Sequence, residues 1–275
     1  MLLEFSPGTR NPFARRRKTG NEKCTVFELP VFMEGPSLII LREEASPFSG
    51  KKIKAVEGNS KENIVRMMGR KVTGFHTWGK HFIISFSDFL VRIHFLMYGS
   101  YRINERKPAA PRLSLRFSNG EMNFYNCSVR IIEGAFEWYY NPETDVMAEE
   151  WSKAKARNKL KKLPPKTLVC DVLLDQDIFA GVGNIIKNEV LYRIRLHPLS
   201  YVGKLEKDKI NELLDETRNY CFDFYRWKKV FELKKHWLAY KQKICMRCDR
   251  PFKRQKLGAT KRLSFLCDSC QEKIR

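Results

Sequence analysis

Four cysteines near the C-terminus carry the sharpest chemical signal in this sequence: Cys245-x2-Cys248, eighteen intervening residues, then Cys267-x2-Cys270. Two-residue gaps let each pair bite one tetrahedral ion, and the segment between them is long enough for a β-hairpin. The pattern therefore reads as a four-thiolate zinc site. Four thiolates leave no coordination position open, so the single expected Zn2+ is structural rather than catalytic. A tail of 35 residues cannot assemble much of a core, and the metal would supply its folding energy. Two disulfides are the alternative, and they require an oxidising compartment. The N-terminus lacks the apolar stretch of a secretory signal. Cys24, Cys127, Cys170 and Cys221 show no ligand spacing and read as ordinary thiols.

A second pattern, Gly181-Val182-Gly183-Asn184, opens a segment of helical periodicity. Backbone N–H groups at such a helix start can cradle an anion. The other reading is a tight turn that simply needs glycine. Asn184 either caps the helix or binds phosphate. No parallel βαβ unit surrounds the glycines, which excludes a dinucleotide-binding fingerprint.

Charge narrows the class of partner. The 275 residues hold 52 Lys+Arg against 31 Asp+Glu, a net charge of +21. Most of the excess sits in three places: net +3 over residues 1–32, +7 over 153–166 and +8 over 241–275. One run alone is usually a solvated helix face; three separate runs favour a polyanion, nucleic acid before membrane. No apolar run reaches membrane-spanning length, and 43% hydrophobic residues with 19 Phe exclude a wholly disordered chain.

The elements that must position these groups fall in order. A short helix is expected over 38–44, with Pro36 suited to its first turn, and another over 61–68. Strands follow over 71–75, 82–86, 90–95, 100–103, 113–117, 122–125 and 129–132, with turn signals between several of them. After about residue 148 the pattern becomes helical: 153–162, stopped by Pro164-Pro165, then 168–174, 184–194 and 205–229. The expected fold class is α+β and multidomain. It comprises a flexible extension or mis-assigned start (1–32), an N-terminal β-rich part that reads as a sandwich or barrel (33–147), a helical part (148–240) and a C-terminal zinc-finger hairpin (241–275).

Three segments, in this order, resemble the formamidopyrimidine-DNA glycosylase and endonuclease VIII family of repair enzymes. Glu34-Gly35-Pro36-Ser37-Leu38 looks like the family's N-terminal Pro-Glu-Gly-Pro opening without its first proline. The run from Asp175 to Asn184 resembles the turn of its helix–two-turn–helix element. The four-cysteine finger carries Lys261-Arg262-Leu263-Ser264-Phe265 on its second strand. The resemblance covers about residues 33–271 and implies that 33–147 is an N-terminal β-sandwich catalytic domain and 148–240 a helical helix–two-turn–helix DNA-binding domain. It implies a finger arginine, Arg262, that holds DNA at the lesion. It implies a hairpin lysine, Lys80, and a helix-start asparagine, Asn184, on phosphate. Leu96, Met97 and Tyr98 would fill the gap left by an extruded base, since unstacking must be offset by new contacts. Glu189 would orient the catalytic amine, and His94 reads as a packed structural histidine. The segment 125–130 lacks the Asp-Pro-Arg-Arg-Phe run of the formamidopyrimidine branch, so the endonuclease VIII branch is nearer, pointing to oxidised pyrimidines.

The implied chemistry is base displacement at the sugar C1′ by an amine that forms a Schiff base. An α-amino group suits it: a reference pKa near 7.7–8.0 leaves roughly a tenth neutral at pH 7, far more than an ordinary lysine. In the family this amine belongs to the proline exposed on removal of the initiator Met, and the glutamate after it is the general acid/base. Here Glu34 matches the glutamate, while Met33 stands where the proline should be. The expectation is that the working chain begins at Met33, whose amine is the nucleophile. The reading as a whole is a glycosylase and abasic-site lyase acting as a monomer on double-stranded DNA with oxidised bases or abasic sites. No membrane is involved, and the protein is placed in a bacterial cytoplasm with the nucleoid. The rivals are a lyase-deficient damaged-DNA-binding protein of the same fold and an RNA-binding zinc-ribbon protein.

Overall fold

Pro36 in the first turn and the apolar spacing Leu38, Leu41, Ala45 set the first helix, α1 (Gly35–Ala45), with those three side chains fully buried on one face. Burying the two leucines contributes about 2–3 kcal/mol each. The computed structural model describes residues 33–275, so the expected extension over 1–32 lies outside the described residues.

Beneath α1 runs one six-stranded antiparallel sheet, in the order β1-β5-β6-β4-β3-β2: β1 (Ala55–Glu57), β2 (Gly74–Trp78), β3 (His81–Ser85), β4 (Phe89–Ile103), β5 (Leu113–Phe117) and β6 (Gly120–Glu133). The sandwich takes the form of this single sheet wrapped round a common core. Phe82, Ile84 and Val91 from one half join Leu113, Leu115, Met122 and Phe124 from the other, together with Leu38 and Leu41 of α1. The other face of β3 and β4 is also covered, by Tyr140 against Ile83 and Leu90. That explains why β3 is apolar without alternation.

Two pairs of expected strands are each one long strand. Residues 90–95 and 100–103 belong to β4, and 122–125 and 129–132 to β6. The pairing survives because the extra residues bulge out: Phe95 faces Cys127, and the next pair is Ser100 with Tyr125. Strand β1 was not expected, and the helix expected over 61–68 shrinks to a 3-10 turn at Ile64–Met67.

The helical part follows the sequence closely: α2 (Lys153–Lys162), α3 (Val169–Val172), α4 (Asn184–Arg193) and α5 (Lys207–Lys229). Its core joins Val169, Phe179, Ile186 and Val190 to Leu213, Tyr220 and Phe224. The basic run of α2 is largely engaged within the fold. Lys153 pairs with Asp215, Lys155 with Glu143, Arg157 donates to Asn211, and Lys159 donates to the carbonyl of Asp177. The tail is the hairpin β7 (Lys253–Leu257) and β8 (Arg262–Leu266). Among the described residues no helix is long and apolar enough to cross a membrane.

Candidate active site

Helix α4 organises the site because it is buried on nearly every side, from Ile185 to Tyr192, including its polar residues Lys187, Asn188 and Glu189. Each of those polar groups must therefore be answered from a neighbouring element. At the N-terminus of α4, the anion that the glycines cradle is the protein's own. The carboxylate of Glu34 accepts from the N–H groups of Gly183 (3.1 Å), Ile185 (2.7 Å) and Ile186 (3.2 Å). These are donors that a helix leaves unsatisfied, and the helix dipole favours a negative charge there. Glu34 itself precedes α1 and is 6% exposed.

Burial pushes the Glu34 carboxyl up from its ordinary range, against the charge of Lys80 and the three backbone donors. The Lys80 amine moves the other way: burial lowers it, Glu34 opposes the shift, and Arg262 adds to it. Glu34, Lys80 and Arg262 thus share one electrostatic field, although they come from residue 34, a β-turn and the finger. Lys80 is placed by Gly79, whose φ of +55° makes the β2–β3 turn and whose N–H donates to the buried Asp145 at 2.9 Å. Close backbone approach brings the sheet to the helical part: Gly35 N–H donates to Gly181 O at 2.9 Å, and a Cβ on Gly35 would lie 2.7 Å from the Gly181 Cα. The His94 ring nitrogen hydrogen-bonds the carbonyl of Lys80 at 3.1 Å, bracing the same turn.

Asn184 is not the cap, a position held by Gly183; its amide donates to the carbonyl of Leu263, one residue from Arg262. Leu96, Met97 and Tyr98 form the bulge of β4 and are 49%, 67% and 74% exposed. Tyr98 has φ of +67°, and Asn126 opposite donates to the carbonyl of Met97 at 2.6 Å. Met33 is half-buried and packs against the sheet core.

Glu189, five residues after Asn184, lies at the entry to the finger. Its carboxylate, fully buried, accepts from the N–H groups of Leu238, Ala239 and Tyr240, between 2.8 and 3.1 Å. It ties down the segment entering the finger, and its second oxygen also lies 3.8 Å from the Arg193 Nε.

Sequence reasoning missed Tyr240 and Lys228. Burial raises the Tyr240 phenol, as do Glu34 and Tyr98, while Arg262 and a hydrogen bond with Asn184 oppose the rise. One ring therefore senses the carboxylate, the finger arginine and the exposed bulge. Lys228, from α5, donates to Ser37 in the first turn of α1 at 2.7 Å. Burial pushes its amine down to about 8, against the charges of Glu34 and Glu44. Neither residue has a local motif; only the folded chain brings them here.

The four cysteines of the tail converge, their sulfurs all within 4.8 Å of one another. Cys245 and Cys270 are 3.7 Å apart and Cys248 and Cys267 3.4 Å apart, too far for S–S bonds. A tetrahedral ion with Zn–S near 2.3 Å places sulfurs about 3.8 Å apart, so the donor set fits zinc.

Two family models match this chain. Residues 34–130 match the formamidopyrimidine-DNA glycosylase N-terminal domain, and residues 142–221 match the formamidopyrimidine-DNA glycosylase H2TH domain. Endonuclease 8-like 3 of Bos taurus is 33% identical over 224 residues, 78% of this chain and 37% of that protein. Endonuclease 8-like 2 of Bos taurus is 30% identical over 206 residues, 67% of this chain and 59% of that protein. The chain thus spans 37% and 59% of the length of these two relatives, less than two thirds of either. A crystal structure of Lactococcus lactis formamidopyrimidine-DNA glycosylase, non-covalently bound to DNA containing an AP site, shares the fold. Its TM-score is 0.77 at 21% identity, over 87% of this chain and 100% of that one. The expectation of a bacterial, nucleoid-associated protein is overturned, because Endonuclease 8-like 3 relatives come from cattle, mouse, human and frog. They point to a eukaryotic protein.

Proposed function

Because the chain belongs to the formamidopyrimidine-DNA glycosylase and endonuclease VIII family, on its endonuclease 8-like branch, we propose that it excises oxidised bases from DNA and cleaves the resulting abasic sites. The observation that carries this reading is the buried Glu34 carboxylate on the N-terminus of α4, beside the Lys80 amine, which Arg262 also influences. A carboxyl raised by burial and fixed by three donors is suited to exchanging a proton at the reacting sugar. The family name of the relatives and the AP-site DNA bound by the Lactococcus enzyme support the same substrate class.

In this reading the duplex lies against the finger and the sheet. Lys80, Asn184 and Arg262 engage phosphates beside the lesion, and Leu96, Met97 and Tyr98 enter the space the extruded base leaves. The amine of residue 33 attacks C1′ as the C1′–base bond breaks, and the base leaves with a proton. The sugar ring opens to an imine, Glu34 relays protons, and loss of the 3′ phosphate by β-elimination nicks the strand. Water then hydrolyses the imine and frees the amine. Cys245, Cys248, Cys267 and Cys270 hold one Zn2+, which keeps the finger folded.

The nitrogen of Met33 decides the lyase step. In a chain that retains residues 1–32 it is a peptide amide and forms no imine; in a chain that begins at Met33 it is a primary amine. Borohydride trapping on abasic duplex tests this. The protein beginning at Met33 forms a covalent adduct, and the full 275-residue chain forms none. No adduct from the shorter protein excludes this amine as nucleophile and favours the second reading, a lyase-deficient protein that binds damaged DNA. Metal analysis of the purified protein returns one zinc per chain.

A further inference from the structure

Arg262 is exposed, and among the described residues no hydrogen bond or ion pair holds its side chain. Its place is therefore set by the backbone of the finger. From Leu263 onward that backbone is tied to α4: Asn184 and Asn188 donate to the carbonyl of Leu263, Lys187 donates to the Ser264 hydroxyl, and Phe265 N–H donates to Asn188 at 2.8 Å. The turn on the other side of Arg262, from Gly258 to Lys261, contains two left-handed residues, Gly258 (φ +73°) and Lys261 (φ +47°). It has its own anchor.

That anchor is Asp171 of α3. Its carboxylate accepts from Ala259 N–H at 2.9 Å, from Thr260 N–H at 3.3 Å and from the Thr260 hydroxyl at 3.2 Å. Converging backbone N–H groups in a turn form a concave donor surface, and a carboxylate is the side chain with acceptor sites for several donors at once. The approach is close: a Cβ on Gly258 would lie 2.2 Å from Asp171 Oδ1, so residue 258 needs glycine for space as well as for φ. Asp171 lies in the helical part, 91 positions before Arg262 in the chain, and none of the sequence motifs includes it.

We infer that Asp171 is a positioning residue for Arg262, pinning the finger turn to the helical part so that the arginine meets DNA already oriented. The inference rests on Arg262 being a DNA contact, as proposed above. Pre-organisation lowers the ordering cost of binding, so releasing the turn weakens binding through Arg262 and through nothing else.

A double-mutant cycle on full-length, zinc-loaded protein tests this, with duplex carrying a tetrahydrofuran abasic analogue as the probe. R262A and D171A each raise Kd, D171A by about tenfold, and the double variant binds no more than about twofold worse than R262A alone. D171N, which keeps one acceptor for Thr260, recovers part of the loss. Additive effects, or a D171A variant that binds like the parent, overturn the role of Asp171. If R262A itself binds like the parent, the reading of Arg262 fails first, and the two failures are told apart. Should D171A lose zinc, G258A perturbs the same contact from the finger side and is held to the same non-additivity with R262A.

Discussion

Replacing Gly183 with alanine separates the geometry of Glu34 from its chemistry. The backbone at Gly183 is extended, φ −117° and ψ −164°, a conformation open to any residue. On backbone grounds alone the substitution should stabilise the protein by about 0.4–1 kcal/mol, because alanine restricts the unfolded chain. The packing predicts the opposite sign. A Cβ there would lie 2.3 Å from the Glu34 Cδ and 2.6 Å from its Oε1, so the carboxylate must leave the helix start. It would give up its bonds to Gly183, Ile185 and Ile186, and hydrogen bonds to a charged group contribute about 1.5–3 kcal/mol each. These bonds are not additive, and Lys80 offsets part of the loss. A net destabilisation of about 2–3 kcal/mol follows, or a Tm lower by about 4–12 °C for a chain of this size. With the protein beginning at Met33 as parent, thermal melting reads the stability, and single-turnover nicking of abasic duplex reads the proton relay proposed for Glu34, which should slow by at least about tenfold with little change in DNA affinity. A G183A protein that melts at or above the parent temperature and nicks at the parent rate would refute the placement of Glu34 on α4.

Lys187, 1% exposed and pushed down to about 8 by burial, supplies a pH test. Its folded value lies below its unfolded value, so between about pH 8 and pH 10.5 the unfolded chain binds more protons and stability rises with pH. Relative to K187M, the parent should gain up to about 3 kcal/mol across that window and show a constant difference below it, measured by urea unfolding. A difference independent of pH contradicts the burial of this amine. At the exposed bulge, alanine at Leu96, Met97 and Tyr98 together should lower excision from duplex DNA by about tenfold or more and leave single-stranded substrate nearly unaffected, because only duplex presents a gap to fill. Equal losses on both substrates count against gap filling.

The course of the chain was legible because its signals are local. Helical periodicity and the Pro164-Pro165 stop marked α2, whose bounds are those expected, and Ser152 caps it in the structure. Four cysteines marked the finger, and two glycines before Asn184 marked the start of α4. Where local signals failed, pairing between distant residues overrode them. The 90–95 and 100–103 segments became one strand because β6 continues past the bulge and keeps both halves in one ladder. The basic run of α2 looked like a polyanion surface, yet acids and carbonyls from elsewhere in the fold occupy much of it.

From the sequence, the family resemblance grouped a glutamate, a lysine, an arginine and a helix start as candidates for one site, since residue type and order survive without coordinates. What it could not determine is which group answers which. The helix start that reads as a phosphate cradle holds Glu34 from 149 residues away. The carboxylate of Glu189 ties down the entry to the finger. Burial decides these assignments: once α4 is enclosed, each of its donors and charges must find a partner among whatever elements pack against it. Only the tertiary structure supplies those partners.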